Sequence, residues 1–89
     1  MGVVRWHVYV VSCRDGSLYT GIATDVERRL AMHDAGKGAR YTRGRGPVQL
    51  LDQVGPMSHS AALRLERRVK RAATDRKLTV LREGLPSDS

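Results

Sequence analysis

Two short runs rich in β-branched and aromatic residues, Val8-Tyr9-Val10-Val11 and Leu18-Tyr19-Thr20-Gly21-Ile22, flank the polar tetrad Arg14-Asp15-Gly16-Ser17, and together they leave the chain few ways to fold. Such side chains suit a pleated, half-buried surface, whereas Asp-Gly favours a turn, so the runs are expected to pair as an antiparallel hairpin. Side-chain alternation then ties loop length to which residues share a face. A two-residue Asp15-Gly16 turn sets Ser12 opposite Tyr19 and sends Tyr9 to the other face. A three-residue loop, Arg14-Asp15-Gly16 with Gly16 in the left-handed region as a bulge, sets Val11 opposite Tyr19 and Gly21 opposite Tyr9. The second geometry is preferred, because it puts both tyrosines on one face and Trp6, Val8, Val10, Leu18, Thr20 and Ile22 on the other. Gly21, without a side chain, then leaves room in front of Tyr9.

A helix is expected directly after the hairpin. Thr24-Asp25-Val26-Glu27 reads as a capping box, with the Thr24 hydroxyl taking a free backbone N–H and Glu27 reaching back. The helix is expected over residues 26–35, ending at Gly36, which can adopt the left-handed cap conformation. Arg29 and His33 fall one turn apart on it, beside Val26 and Leu30, and are expected to face the tyrosines. Arg28, about 100° round the helix, then faces elsewhere.

Residues 36–47 are expected to form a loop; they hold four glycines, the cations Lys37, Arg40, Arg43 and Arg45, and the aromatic Tyr41. Glycines let the backbone approach a ligand, cations neutralise phosphates and an aromatic can stack on a base. A third strand is expected over 48–54, ended by Gly55-Pro56. Ser58 or Ser60 caps a second helix running to about Ala73, whose buried stripe is Ala62, Leu65, Val69 and Ala72. Glu66, at the edge of that stripe, is the one acid among Arg64, Arg67, Arg68, Lys70 and Arg71. Spacing alone makes it an ion-pair partner of Lys70; in a phosphate-attracting field it is also a place for a divalent cation. Residues 74–83 are expected to close the fold as a short helix, with Leu78 and Leu81 turned inward. Residues 1–83 are expected to be one domain and 84–89 a flexible tail.

The net charge of +7 is concentrated. Residues 35–71 hold Lys37, Arg40, Arg43, Arg45, Arg64, Arg67, Arg68, Lys70 and Arg71 against only Asp52 and Glu66. A field of that kind suits a polyanion, and a nucleic-acid backbone is the expected partner. The single cysteine, Cys13, excludes an intramolecular disulfide and a thiolate zinc cage, and is expected to pack in a strand. No apolar run approaches the ~18 residues of a membrane span and no signal-peptide layout opens the chain, so a cytoplasmic protein is expected, near the nucleoid if DNA is its partner. No obligate protein partner is evident.

Taken in order, His7-Val8-Tyr9, Tyr19-Thr20-Gly21, Glu27-Arg28-Arg29-Leu30 with His33 one turn on, and Glu66 resemble the GIY-YIG nuclease family over roughly residues 6–73, its small stand-alone bacterial members above all. The first motif keeps only its tyrosine, and the chain has no Asn, which many members use near the end of the domain. The resemblance implies an α+β sandwich: a three-stranded antiparallel sheet flanked by helices in the order β-β-α-β-α-α. It also implies a metal-dependent endonuclease with Tyr9, Tyr19, Arg29, His33 and Glu66 as catalytic residues. Glu66 would hold one Mg2+ or Mn2+ ion, and Tyr19, helped by Tyr9, would orient and deprotonate water. Which tyrosine is the base, and whether His33 relays the proton, stay open. Lys37, Arg40, Tyr41, Arg43, Arg45, Arg67 and Lys70 would contact nucleic acid. DNA is the expected partner, single-stranded or branched rather than plain duplex, because no helix is a candidate for reading a major groove. A non-cleaving nucleic-acid-binding module on the same fold is the alternative.

Overall fold

A computed structural model of the chain describes residues 4–35 and 47–84. Strands β1 (Trp6–Ser12) and β2 (Leu18–Ala23) are followed by helix α1 (Val26–Asp34), strand β3 (Gln49–Met57), helix α2 (His59–Arg71), a 3-10 turn (Thr74–Arg76) and helix α3 (Lys77–Glu83). The strands form one antiparallel sheet in the order β2-β1-β3, so the hydrophobic β1 lies at its centre. Element order and sheet are those the sequence implied.

The hairpin takes the odd-loop geometry. Tyr9 pairs with Gly21 and Val11 with Tyr19. Cys13 N–H donates to the Ser17 carbonyl at 2.8 Å, Gly16 N–H returns to the Cys13 carbonyl at 2.9 Å, and Gly16 has φ +85. Cys13 is buried, but in this loop, one residue beyond the end of β1.

Alternation along β1 divides the interior into two layers. Val8 and Val10 point to one face, where they meet Val54, Met57, Ala62, Leu65, Val69 and Leu81, a hydrocarbon core covered by α2 and α3. Tyr9 and Val11 point to the other, with Ala23, Val26, Leu30 and Leu50, under α1. Ala62, Leu65 and Val69 recur at helical spacing, so α2 buries one stripe and leaves its cations in water. Ala72, expected to complete that stripe, is instead the C-cap residue and only half-buried.

Two boundaries differ from expectation, and a third settles a choice between two expected caps. The cap of α1 is Asp25, whose Oδ1 accepts Arg28 N–H at 3.0 Å; a carboxylate at that position satisfies a free N–H and also favours the positive end of the helix dipole. Ser58 is the cap of α2, accepting Ala61 N–H at 3.1 Å. Strand β3 does not stop at Gly55-Pro56 but runs through them to Met57. It can do so because β3 is an edge strand, where proline's missing N–H costs no ladder bond. Trp6 pairs with Met57 and Val8 with Val54, so Gly55 and Pro56 together oppose His7 as a bulge. At φ +141, a Cβ on Gly55 would stand 2.7 Å from the Trp6 carbonyl oxygen. Leu51 is a second extra residue, between Asp52 opposite Val10 and Leu50 opposite Val11. Each extra residue switches the face that β3 buries: Leu50 serves the α1 layer, Val54 and Met57 the other, and Leu51 is left exposed.

Candidate active site

The tyrosine face holds ionisable groups in its interior. Tyr9 and His33 are each 1% exposed, and the Tyr9 hydroxyl lies 2.9 Å from His33 Nε2. Strand β1 carries the phenol and the last turn of α1 the imidazole. Gly21 makes their approach possible: a Cβ there would overlap the Tyr9 hydroxyl and sit 2.6 Å from its Cζ. Tyr19, on β2 and half-buried, closes a cluster of three rings, with centroids 5.4 Å from His33 and 6.4 Å from Tyr9.

Arg29 is the charge at the centre of this cluster. Burial raises the Tyr9 phenol most, the Tyr19 phenol adds to the rise, and Arg29, within hydrogen-bonding reach, pulls it down, for a net shift from 10.0 up to about 12. Burial also raises Tyr19, as does the Glu66 carboxylate, with Arg29 again opposing. Burial lowers His33 most and Arg29 adds to the fall, with Asp34 opposing, so the neutral imidazole is favoured. Tyr9 and His33 Nε2 thus share one hydrogen bond whose donor is set by the imidazole tautomer, while the guanidinium of Arg29 only donates to the same phenol oxygen. Arg29 Nε is buried with no hydrogen-bond partner among the described residues. Arg28 is exposed, as the 100° offset requires.

Glu66 reaches the cluster from α2, on the opposite face of the sheet. It does so at the β2 edge, where its neighbour Lys70 lies 6.0 Å from the Tyr19 ring centroid. The Glu66 side chain is 17% exposed and its Oε2 is 3.4 Å from Lys70 Nζ, the helical ion pair expected from spacing. Among the described residues, no three His, Cys, Asp or Glu groups converge as a metal cage. The donor set is one carboxylate beside a phosphate-attracting surface, which suits an ion such as Mg2+ that keeps most of its waters and is completed by substrate phosphate.

The structure thus brings Tyr9, Tyr19, Arg29, His33 and Glu66 to one place. Arg67 and Lys70 are exposed on α2, Lys70 beside the cluster. Lys37, Arg40, Tyr41, Arg43 and Arg45 lie outside the described residues. Asp34 is a contributor that spacing did not single out: its Oδ1 accepts Val48 N–H at 2.7 Å, tying the end of α1 to the start of β3. No local sequence signal marks that bond, because its partners stand fourteen residues apart. Among the described residues no helix is long and apolar enough to cross a membrane.

Comparison with known proteins agrees with this fold. The family model of the GIY-YIG catalytic domain matches residues 5–78. A UPF0213 protein of Cupriavidus pinatubonensis is 50% identical over 74 residues, spanning 83% of this chain and 82% of the relative. The solution structure of the UPF0213 protein from Bacillus halodurans shares 44% identity and a TM-score of 0.53, over 88% of this chain and 83% of that one. The solution structure of a protein from E. faecalis shares 34% identity with a TM-score of 0.60, over 93% and 90% of the two chains. The family model spans most of the chain, relatives about half identical to it cover more than four-fifths of it, and the chain belongs to the GIY-YIG catalytic-domain family, among its small UPF0213 members.

Proposed function

We propose that the protein is a metal-dependent endonuclease that hydrolyses phosphodiester bonds in DNA, with single-stranded or branched DNA favoured over plain duplex. The observation that carries this is the convergence of Arg29, whose buried Nε has no hydrogen-bond partner among the described residues, on two tyrosines and Glu66. Such a donor suits a phosphate oxygen, and a guanidinium fixed from behind stabilises charge that grows during phosphoryl transfer without reorganising. Tyr19 reaches solvent and orients the attacking water. Tyr9 is a positioning residue, holding Arg29 on one side and His33 on the other. Neutral His33 holds the Tyr9 hydroxyl in the resting hydrogen bond and keeps the phenol from turning toward Tyr19. Glu66 would hold one Mg2+ or Mn2+ ion, which supplies Lewis-acid charge at the phosphate and replaces the negative field on Tyr19 with a positive one.

The test is a magnesium and manganese titration with end-labelled single-stranded, duplex and forked DNA. Metal-dependent cutting of the single-stranded and forked substrates ahead of duplex is expected. Binding without cutting in either metal would leave the non-cleaving module as the function. Cutting that persists in chelator would remove Glu66 from its assigned role.

A further inference from the structure

Beside the tyrosine cluster lies a cavity of about 260 Å³ between the end of β2 and the first turns of α1. Trp6, Ile22 and Met32 supply its apolar walls, Arg29 lines it, and Asp25 and Arg28 stand with them. We propose that this cavity receives one nucleobase of the strand being cut, stacked on Trp6, with Arg28 neutralising the adjoining phosphate. The proposal rests on the nuclease function above and names how a single strand is held.

Position comes first. Arg29 belongs both to this cavity and to the tyrosine cluster, so whatever fills the cavity neighbours the phosphate that Arg29 would bind. Size comes next: the volume is below the roughly 300–1,000 Å³ usual for small-molecule sites, and accommodates a single planar ring. The chemistry separates base from backbone. Asp25 carries a carboxylate that already accepts Arg28 N–H at 3.0 Å; it repels a phosphate and can accept an N–H from a base edge. Arg28, exposed on the next turn, is the group suited to the phosphate. Trp6 is half-buried and held by His59, with 4.5 Å between ring centroids, so the indole is fixed before a base arrives. Every base has a π-face, so this recognition is tolerant of sequence. It discriminates against plain duplex, whose bases must be unstacked and unpaired before one can enter.

Trp6 is the only tryptophan in the chain, so intrinsic fluorescence reports on the cavity directly. Wild-type protein in chelator is titrated with a thymidine decamer and with a decamer of the same backbone lacking all bases, anisotropy of a label on each strand giving binding. Both strands are expected to bind, but only the base-bearing one to quench Trp6 and shield it from acrylamide. Trp6→Leu is expected to weaken the thymidine decamer about tenfold, to the affinity of the abasic strand. The fluorescence result is read on the wild-type chain, so it stands whether or not that variant folds. Binding of the thymidine decamer with no change at Trp6 would overturn the cavity assignment and leave the nuclease function intact. Failure of both strands to bind would overturn both. Equal quenching by free thymidine monophosphate at the same concentration would overturn the strand subsite in favour of a mononucleotide site.

Discussion

The two faces of the sheet are built from the same central strand, yet they bury different chemistry. On the α2 and α3 side, Val8, Val10, Leu65, Val69 and Leu81 bury hydrocarbon and little else. On the α1 side, Tyr9 and His33 are as thoroughly buried but titratable, and their ordinary pKa values are displaced in opposite directions, phenol up and imidazole down, both by loss of water. Each shift favours the uncharged form, so burial and hydrogen bonding together make this face a preorganised polar pocket with one fixed positive charge. Stability is concentrated on one face and chemistry on the other. Substitutions that separate the two quantities are therefore the ones that test the division.

The largest separation is expected at the polar cluster, which Arg29 enters from α1 and Glu66 from α2. Arg29→Ala and Glu66→Ala are each expected to reduce single-turnover cutting by about three powers of ten or more, with the thermal midpoint little changed. Arg28→Ala, at saturating protein, is expected to leave the chemical step nearly intact. Equal losses for Arg28 and Arg29 would show that the helix faces are misassigned. The converse comes from the other face. Leu81 has no exposed surface, and Leu81→Ala is expected to cost about 3 kcal/mol in denaturant unfolding, while the molecules that remain folded cut normally. A normal unfolding midpoint with lost cutting would break the division outright.

Titration probes the polar face more finely. His33 has its folded pKa below the ordinary 6.5, so the unfolded chain binds more protons in between. Its contribution is fully present above 6.5 and is lost as pH falls through the folded value. Stability is thus expected to rise with pH through the acid side of 6.5, and His33→Gln to flatten that limb in urea melts. Tyr9, raised from 10.0 to about 12, behaves oppositely: its contribution is present below 10.0 and lost as pH climbs through about 12. A Tyr9→Phe chain that keeps the alkaline limb would move that titration to another group.

Much of this division was legible in the sequence because alternation and helical spacing are one-dimensional. Requiring Tyr9 and Tyr19 to share a face demanded an odd loop, and Gly16 at φ +85 supplies it. Gly16→Val is accordingly expected to cost roughly 1–2 kcal/mol, with Gly16→Asn milder, in the same urea melts. The position of Glu66 at the edge of the α2 stripe was legible for the same reason. Strand β3 was not, because its two bulges switch faces at Leu51 and Gly55 and defeat simple parity; residues 50 and 54 are in phase by count and lie in different layers. Asp25 rather than Thr24 caps α1, since both are good caps and the choice depends on where β2 releases the chain. Trp6 read only as part of an apolar face, because a cavity arises from how β2 meets α1 and leaves no trace in spacing.

The smallest expected effect lies where the two faces meet. Lys70 sits on the helix that covers the hydrocarbon core, yet its ammonium pairs with Glu66 and stands by the Tyr19 ring, at the β2 edge where α2 reaches the polar side. The pair is an exposed one, with Lys70 half in water, so after solvent screening it contributes at most about 0.5 kcal/mol to folding. In function the same contact matters more, because an ammonium 3.4 Å from the carboxylate competes with any cation that Glu66 is to hold. Lys70→Met keeps the aliphatic stem against its neighbours and deletes the charge. It is expected to leave the urea midpoint within about 0.5 kcal/mol of wild type. The magnesium concentration for half-maximal cutting is expected to fall, and affinity for DNA to decrease slightly through the loss of one phosphate-attracting cation. If the magnesium requirement instead rises, Lys70 holds Glu66 in place for the cation rather than competing with it, and the boundary between the structural and chemical faces runs through Lys70 itself.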